Sequence, residues 1–148
     1  MGIGNDMDDM DKVFDRVDIV HLLTVVRSLY VFNKDTCYGK YNEAIPSTGH
    51  CVMSALYLYE IFDGHVMSSK VNNVSHWFNR IGWGGKIYDI DLTGDQFGFD
   101  EIMVRRINDG AGLYGGSVIR DINGLGKSVI DRYSKFRERI STNIVKSP

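Results

Sequence analysis

Three side chains of this 148-residue chain, Cys51, His76 and Asp91, combine the residue types and local settings that nucleophilic thiol chemistry needs. A cysteine attacks only as the thiolate, and its ordinary pKa of about 8.5 falls where the sulfur sits at a helix N-terminus beside a histidine. Cys51 follows Gly49-His50 and opens an apolar run at helical spacing, Val52, Ala55, Leu56, Tyr59 and Phe62, closed by Asp63-Gly64. The sulfur is therefore expected at the first turn of a helix over Cys51–Phe62, where the leading amides have no intrahelical acceptor and can stabilise an oxyanion.

The partner groups lie on what reads as a β-hairpin. Ser75–Ile81 and Lys86–Leu92 alternate like strands around Gly82-Trp83-Gly84-Gly85. With Gly82 set opposite Gly85, His76 falls opposite Asp91, and the period of two puts Asp89 on the same face. Opposed side chains in an antiparallel pair stand ~4.5–5.5 Å apart at Cβ, close enough for a carboxylate to accept the imidazole N–H and fix its tautomer. Asp91 is the first choice for that role and Asp89 the diagonal reserve. Cysteine at a helix start, histidine on a strand and aspartate on the next strand form a Cys-His-Asp triad of nucleophile, general base and orienting acid.

The elements that must hold these groups follow from periodicity. Asp11 to Tyr30 reads as a first helix with Val13, Val17, Val20 and Leu23 on one stripe; Asn33 to Gly49 is a long loop rich in breakers; His65–Ser69 is a short strand. Lys127–Ile144 reads as an amphipathic helix with Val129, Ile130, Tyr133, Phe136 and Ile140 on one face. Residues 1–10 read as a solvated, flexible tail and 11–148 as one domain. The predicted class is α+β: helices against a small antiparallel sheet, with the nucleophile helix crossing it and the C-terminal helix closing one side.

A family resemblance runs through the same residues. Pro46-Ser-Thr-Gly-His-Cys51-Val-Met-Ser-Ala-Leu56 resembles the Pro-x-x-Gly-Gln-Cys-x-x-Thr-Ala-Leu pattern of the YunG-like bacterial and phage proteins. The likeness continues at Asp63-Gly64, His76-Trp-Phe-Asn79, Asp91-Leu-Thr93-x-x-Gln96-Phe97 and Asp131-Arg-Tyr133-x-x-Phe136-x-x-Arg139. Such proteins look like compact relatives of papain-like and transglutaminase-like cysteine peptidases, which implies a papain-like fold and a Cys51-His76-Asp91 site. His50 stands where the pattern has glutamine, which removes the expected side-chain oxyanion donor unless a protonated His50 replaces it and depresses the thiol pKa. Tyr38, Tyr41 and Trp83, in loops near the site, are candidate cleft residues.

Composition narrows the rest. With 17 basic and 19 acidic side chains the formal charge is −2, so no global positive field favours nucleic acid. The apolar run Ile19–Val26, broken by His21 and Thr24, is too short to span a bilayer, and the Asp-rich N-terminus does not resemble a secretory signal; a cytoplasmic protein without membrane partners is expected. Two cysteines do not make a disulfide scaffold, and Cys37 and Cys51 are read as thiols. Cys37, His50, Cys51 and His76 lack metal-ligand spacing, and Gly110-Ala-Gly112-Leu-Tyr-Gly115 follows no convincing strand, so neither a metal nor another cofactor is expected.

The leading expectation is hydrolysis or acyl transfer at an amide, peptide or related small-molecule acyl bond through a thioester on Cys51. The alternative is a non-enzymatic binding or inhibitor protein on a degenerate cysteine-peptidase scaffold, such as a phage accessory protein that captures a protein partner or small ligand.

Overall fold

The computed structural model describes residues 18–108 and 110–146. The predicted tail and the start of the predicted first helix lie outside them. Helix α1 covers residues 18–28, and Ile19, Leu23 and Val26, spaced three and four apart, are buried on one of its faces. A loop from 29 to 50 leads to α2, Cys51–Phe62, whose bounds match the expectation. Its most buried residues are Met53, Ser54, Ala55, Leu56 and Leu58, a broader face than the predicted stripe, because this central helix is packed on several sides.

Five strands follow: β1 His65–Val71, β2 Val74–Trp83, β3 Lys86–Asp91, β4 Met103–Arg106 and β5 Val118–Ile119. They form one antiparallel sheet in the order β4-β3-β2-β1-β5. β1 and β2 turn through Asn72 and Asn73, both at positive φ, a conformation asparagine tolerates. A short 3₁₀ turn, Gly94–Phe97, follows β3, and α3, Lys127–Lys146, ends the described chain. Ile130, expected on the buried face of α3, is half exposed, whereas Phe136 and Ile140 are fully buried.

The register of the β2–β3 hairpin differs from the expected one. Trp83 pairs with Lys86 and Gly82 with Ile87, so the turn is the pair Gly84-Gly85, with φ of 58° and 77°. Two consecutive positive φ values make a tight two-residue turn, which glycine adopts without steric cost. The slip relative to a Gly82–Gly85 pairing is two residues. Because the side-chain period is also two, no residue changes face.

The three helices cover one face of the sheet. Ile81, Tyr88 and Ile90 meet Ile19, Leu23, Met53, Leu58, Phe136 and Ile140 there. Burying an aliphatic or aromatic side chain of this size is worth about 1.5–3 kcal/mol, so this shared core is what holds α2 against the strands. The alternate residues of β2 and β3, including Phe78, Arg80, Asp89 and Asp91, point to the opposite face. The segment from 110 to 116 covers them: Leu113 N–H donates to Asp89 Oδ2 at 2.9 Å, and the Ser69 hydroxyl donates to the Gly115 carbonyl. Among the described residues, no helix is long and apolar enough to cross a membrane.

Candidate active site

The direction of α2 decides which end of the sheet meets the cysteine. Asn79 Nδ2 donates to the Ala55 carbonyl at 2.9 Å, and the Phe62 ring packs edge-on against Trp83 at 5.7 Å between centroids. The helix therefore runs along β2 in the strand's own direction, and its first residue falls at the end of the sheet where β2 starts and β3 stops. His76 and Asp91 occupy that end. Trp83 does not: α2 rises ~1.5 Å per residue, so its 12 residues separate Trp83 from Cys51 by ~18 Å. Trp83 packs at the far end of the helix and does not line the cleft proposed for it.

His76 is wholly buried, and its Nε2 lies 2.7 Å from Asp91 Oδ2. The two are not cross-strand partners in the observed register; the histidine lies past the Asn79–Ile90 pair that ends the ladder and reaches the carboxylate diagonally. With Nε2 committed to Asp91, Nδ1 is the ring nitrogen left for Cys51, which lies close enough to help raise the ring's pKa. Burial by itself would lower the His76 pKa. Interaction with Asp91, and after it with Cys51, outweighs burial and raises the pKa from 6.5 to about 9.

The Asp91 carboxylate is almost completely buried and fully engaged. Oδ1 accepts from the Thr93 N–H at 2.9 Å and from the Thr93 hydroxyl at 3.3 Å. Oδ2 accepts from His76 and also from the Tyr114 hydroxyl, whose ring packs edge-on against both His76 and Phe78. Burial and the neighbouring Asp91 charge push the Tyr114 pKa far up, so its hydroxyl keeps the proton it donates. Phe97 closes the other side of the imidazole, edge-on at 4.8 Å. Gln96 brings Nε2 to 3.4 Å from His76 Nδ1, with the same nitrogen donating to the Thr93 carbonyl at 3.0 Å.

The half-buried Cys51 is the first residue of α2, and the N-cap residue His50 makes no side-chain capping bond. The helix entry depends on Gly49, at φ 78°: a Cβ there would stand 2.5 Å from the Tyr38 carbonyl oxygen and 2.6 Å from Cys37 Sγ. The expected donor role of His50 is not met. Its ring is wholly buried, with Nε2 2.8 Å from the Thr36 hydroxyl and Nδ1 3.2 Å from the Thr48 carbonyl. Nδ1–H donates to Thr48, Nε2 accepts from Thr36, and burial lowers the pKa, so the neutral ring has no donor left for substrate. Phe32, Tyr41 and Phe136 pack around it.

Asp89 is likewise not a reserve for His76. It is opposite Arg80 in the ladder, accepts from that guanidinium at 2.7 and 3.1 Å, and takes the Leu113 N–H on Oδ2. Both of its oxygens are engaged, by the strand neighbour Arg80 and by the covering segment. Tyr38 and Tyr41 sit near the nucleophile end of α2: Tyr38 N–H donates to the Gly49 carbonyl at 2.9 Å, and Tyr41 packs edge-on to His50. Tyr38 is 76% exposed, with the Arg132 guanidinium 5.6 Å over its ring. Among the described residues, no group of three or more His, Cys, Asp and Glu side chains is placed to hold a metal ion.

Tyr114, Gln96 and Phe97 were not assigned to the site from sequence. Gln96 and Phe97 did stand in the stretch after Asp91 that carries the family likeness, whereas Tyr114 lies in a glycine-rich segment with no periodic signal.

Comparison with known proteins accords with the likeness in the sequence. The family model described as YunG protein matches residues 18–144. The Bacillus subtilis (strain 168) protein named "Uncharacterized protein YunG" is 34% identical over 59 residues, which cover 40% of this chain and 48% of that protein. The chain thus spans about half the length of the curated relative it matches. No solved structure matches the chain.

Proposed function

The chain belongs to the YunG family, and on that premise we propose that it is a cysteine-dependent hydrolase or acyl transferase acting on an amide or peptide-type bond, with a papain-like arrangement of helix and sheet. The observation that carries the reading is the buried His76, clamped by Asp91 at 2.7 Å on one nitrogen, with the other left for the Cys51 sulfur at the start of α2. An imidazole held this way is fixed in position and tautomer, and Asp91 stabilises the imidazolium that forms.

In the proposed reaction the Cys51 proton already resides on His76 Nδ1, and the thiolate attacks the substrate carbonyl carbon. The S–C bond forms as the carbonyl π pair moves to oxygen, where the uncapped amides at the start of α2 are available as donors. Collapse breaks the C–N bond, and the leaving amine takes the proton from His76. The thioester on Cys51 then passes its acyl group to water or to another nucleophile, with His76 as base. A peptide, an amide or a small-molecule acyl compound meets these requirements.

Reactivity of the two thiols tests this. Burial pushes the Cys37 thiol up, and its sulfur is turned toward the Thr48 carbonyl at 3.2 Å, so Cys37 serves as an internal reference. Iodoacetamide is expected to alkylate Cys51 at least tenfold faster than Cys37 near neutral pH, and Cys51→Ala to abolish the fast phase with folding retained. Equal rates at both thiols would instead favour a non-enzymatic binding or inhibitor protein. The observation on that side is His50, sealed in the core where the family pattern has glutamine.

A further inference from the structure

The loss of a side-chain donor at residue 50 leaves a thiol site with backbone amides on one side only, and the 3₁₀ turn after β3 carries the group that can complete it. We propose that Gln96 donates the side-chain N–H of the oxyanion site at Cys51, the role expected of residue 50. This rests on the thiol chemistry proposed above.

Three observations converge on Gln96. First, its amide orientation is set by a partner: Nε2 donates to the Thr93 carbonyl at 3.0 Å, and a flipped amide would press Oε1 against that oxygen. Second, the same nitrogen lies 3.4 Å from His76 Nδ1, the ring nitrogen left for Cys51. The second N–H of Gln96 is thereby directed to the edge of the imidazole left for Cys51. Third, the turn is built on the catalytic carboxylate. Asp91 Oδ1 holds the Thr93 N–H and hydroxyl, and Thr93 holds the Gln96 backbone N–H at 3.3 Å as well as its side chain. One carboxylate thus orients the base through one oxygen and the donor through the other. An N–H preset beside the reacting sulfur stabilises the tetrahedral oxyanion without reorganisation at the moment of reaction.

Two probes that need no knowledge of the natural substrate separate this role from simple support of His76. Alkylation by iodoacetamide forms an S–C bond at a saturated carbon and expels iodide, so no oxyanion arises. Acetylation by p-nitrophenyl acetate passes through a tetrahedral oxyanion, forms the thioester and expels p-nitrophenolate as the anion, so no proton transfer to the leaving group is needed. Both products on Cys51 are timed by mass spectrometry in the full-length wild type, Gln96→Met and Gln96→Leu, with thermal melts to establish folding. In either folded variant, alkylation is expected to stay within about twofold of wild type while acetylation falls about 100-fold. If both rates fall together, Gln96 only positions His76 and the proposal is overturned. Unchanged acetylation, or a wild-type Cys51 that alkylates fast but is not acetylated, overturns it too. A wild-type Cys51 that alkylates no faster than Cys37 removes the thiol site itself, and the Gln96 role with it.

Discussion

Replacing Asp91 by asparagine tests the link between the buried carboxylate and the imidazole. The change keeps the shape of the side chain and removes its charge. The difference between the ordinary histidine pKa of 6.5 and the value of about 9 at His76 corresponds to about 3 kcal/mol in favour of the protonated ring in the folded chain. A raised folded-state pKa means that the native state binds more protons than the unfolded state between these two values. The stabilisation is therefore complete below pH 6.5 and is lost as the pH rises through about 9. His50, whose pKa burial lowers, acts in the opposite sense and below 6.5, and the Cys37 thiol, raised from 9.0, acts above the window.

In Asp91→Asn, burial, the largest single influence on His76, is opposed only by Cys51, and the ring is expected to titrate at or below 6.5. At pH 7.5 the imidazolium fraction then drops from about 97% to about 9% or less, and Cys51 alkylation slows about tenfold. Urea denaturation at pH 6.5 and 9, with NMR titration of the imidazole nitrogens, measures both consequences. Wild type should lose about 3 kcal/mol across that interval and the variant most of that slope. An unchanged slope, or a variant ring still titrating above pH 8, would refute the assignment of His76 and Asp91 as a coupled pair.

Two further outcomes follow from the geometry. Gly49→Ala places a Cβ 2.5 Å from the Tyr38 carbonyl oxygen at a φ of 78°; a loss of roughly 2–4 kcal/mol, seen as a Tm drop of roughly 5–15 °C, is expected, and a Tm within ~2 °C of wild type would contradict the tight entry into α2. Tyr114→Phe keeps the ring against His76 but removes a donor from Asp91 Oδ2, so the carboxylate draws the imidazolium proton more strongly and the His76 titration should move up from about 9, at a stability cost of about 1–2 kcal/mol; a downward move would show that Tyr114 acts by orienting Asp91 instead.

Much of the architecture was legible along the chain because it depends on local periodicity. The helix bounds Cys51–Phe62 and the start of α3 at Lys127 follow from apolar spacing and flanking breakers, and the α+β class follows from the change of period after Gly64. The shared face of His76 and Asp91 also survived an incorrect register, since the hairpin slipped by two residues, one full side-chain period. A slip of one would have turned Asp91 toward Tyr88's side of the sheet, into the helical core.

What the chain by itself determined, then, is which residues can share a helix turn or a strand face, because backbone geometry sets those periods within a few residues. Tertiary packing alone decided which of them meet. The core that lays α2 along β2 carries Cys51 to His76 and Trp83 away from both. Burial sealed His50 between Thr36 and Thr48, and the Arg80 guanidinium claimed Asp89. Segments without periodic signal delivered Gln96 and Tyr114 to the imidazole and its carboxylate. Such contacts join residues distant in sequence, and their energies depend on desolvation and on competition among partners, which no local spacing encodes.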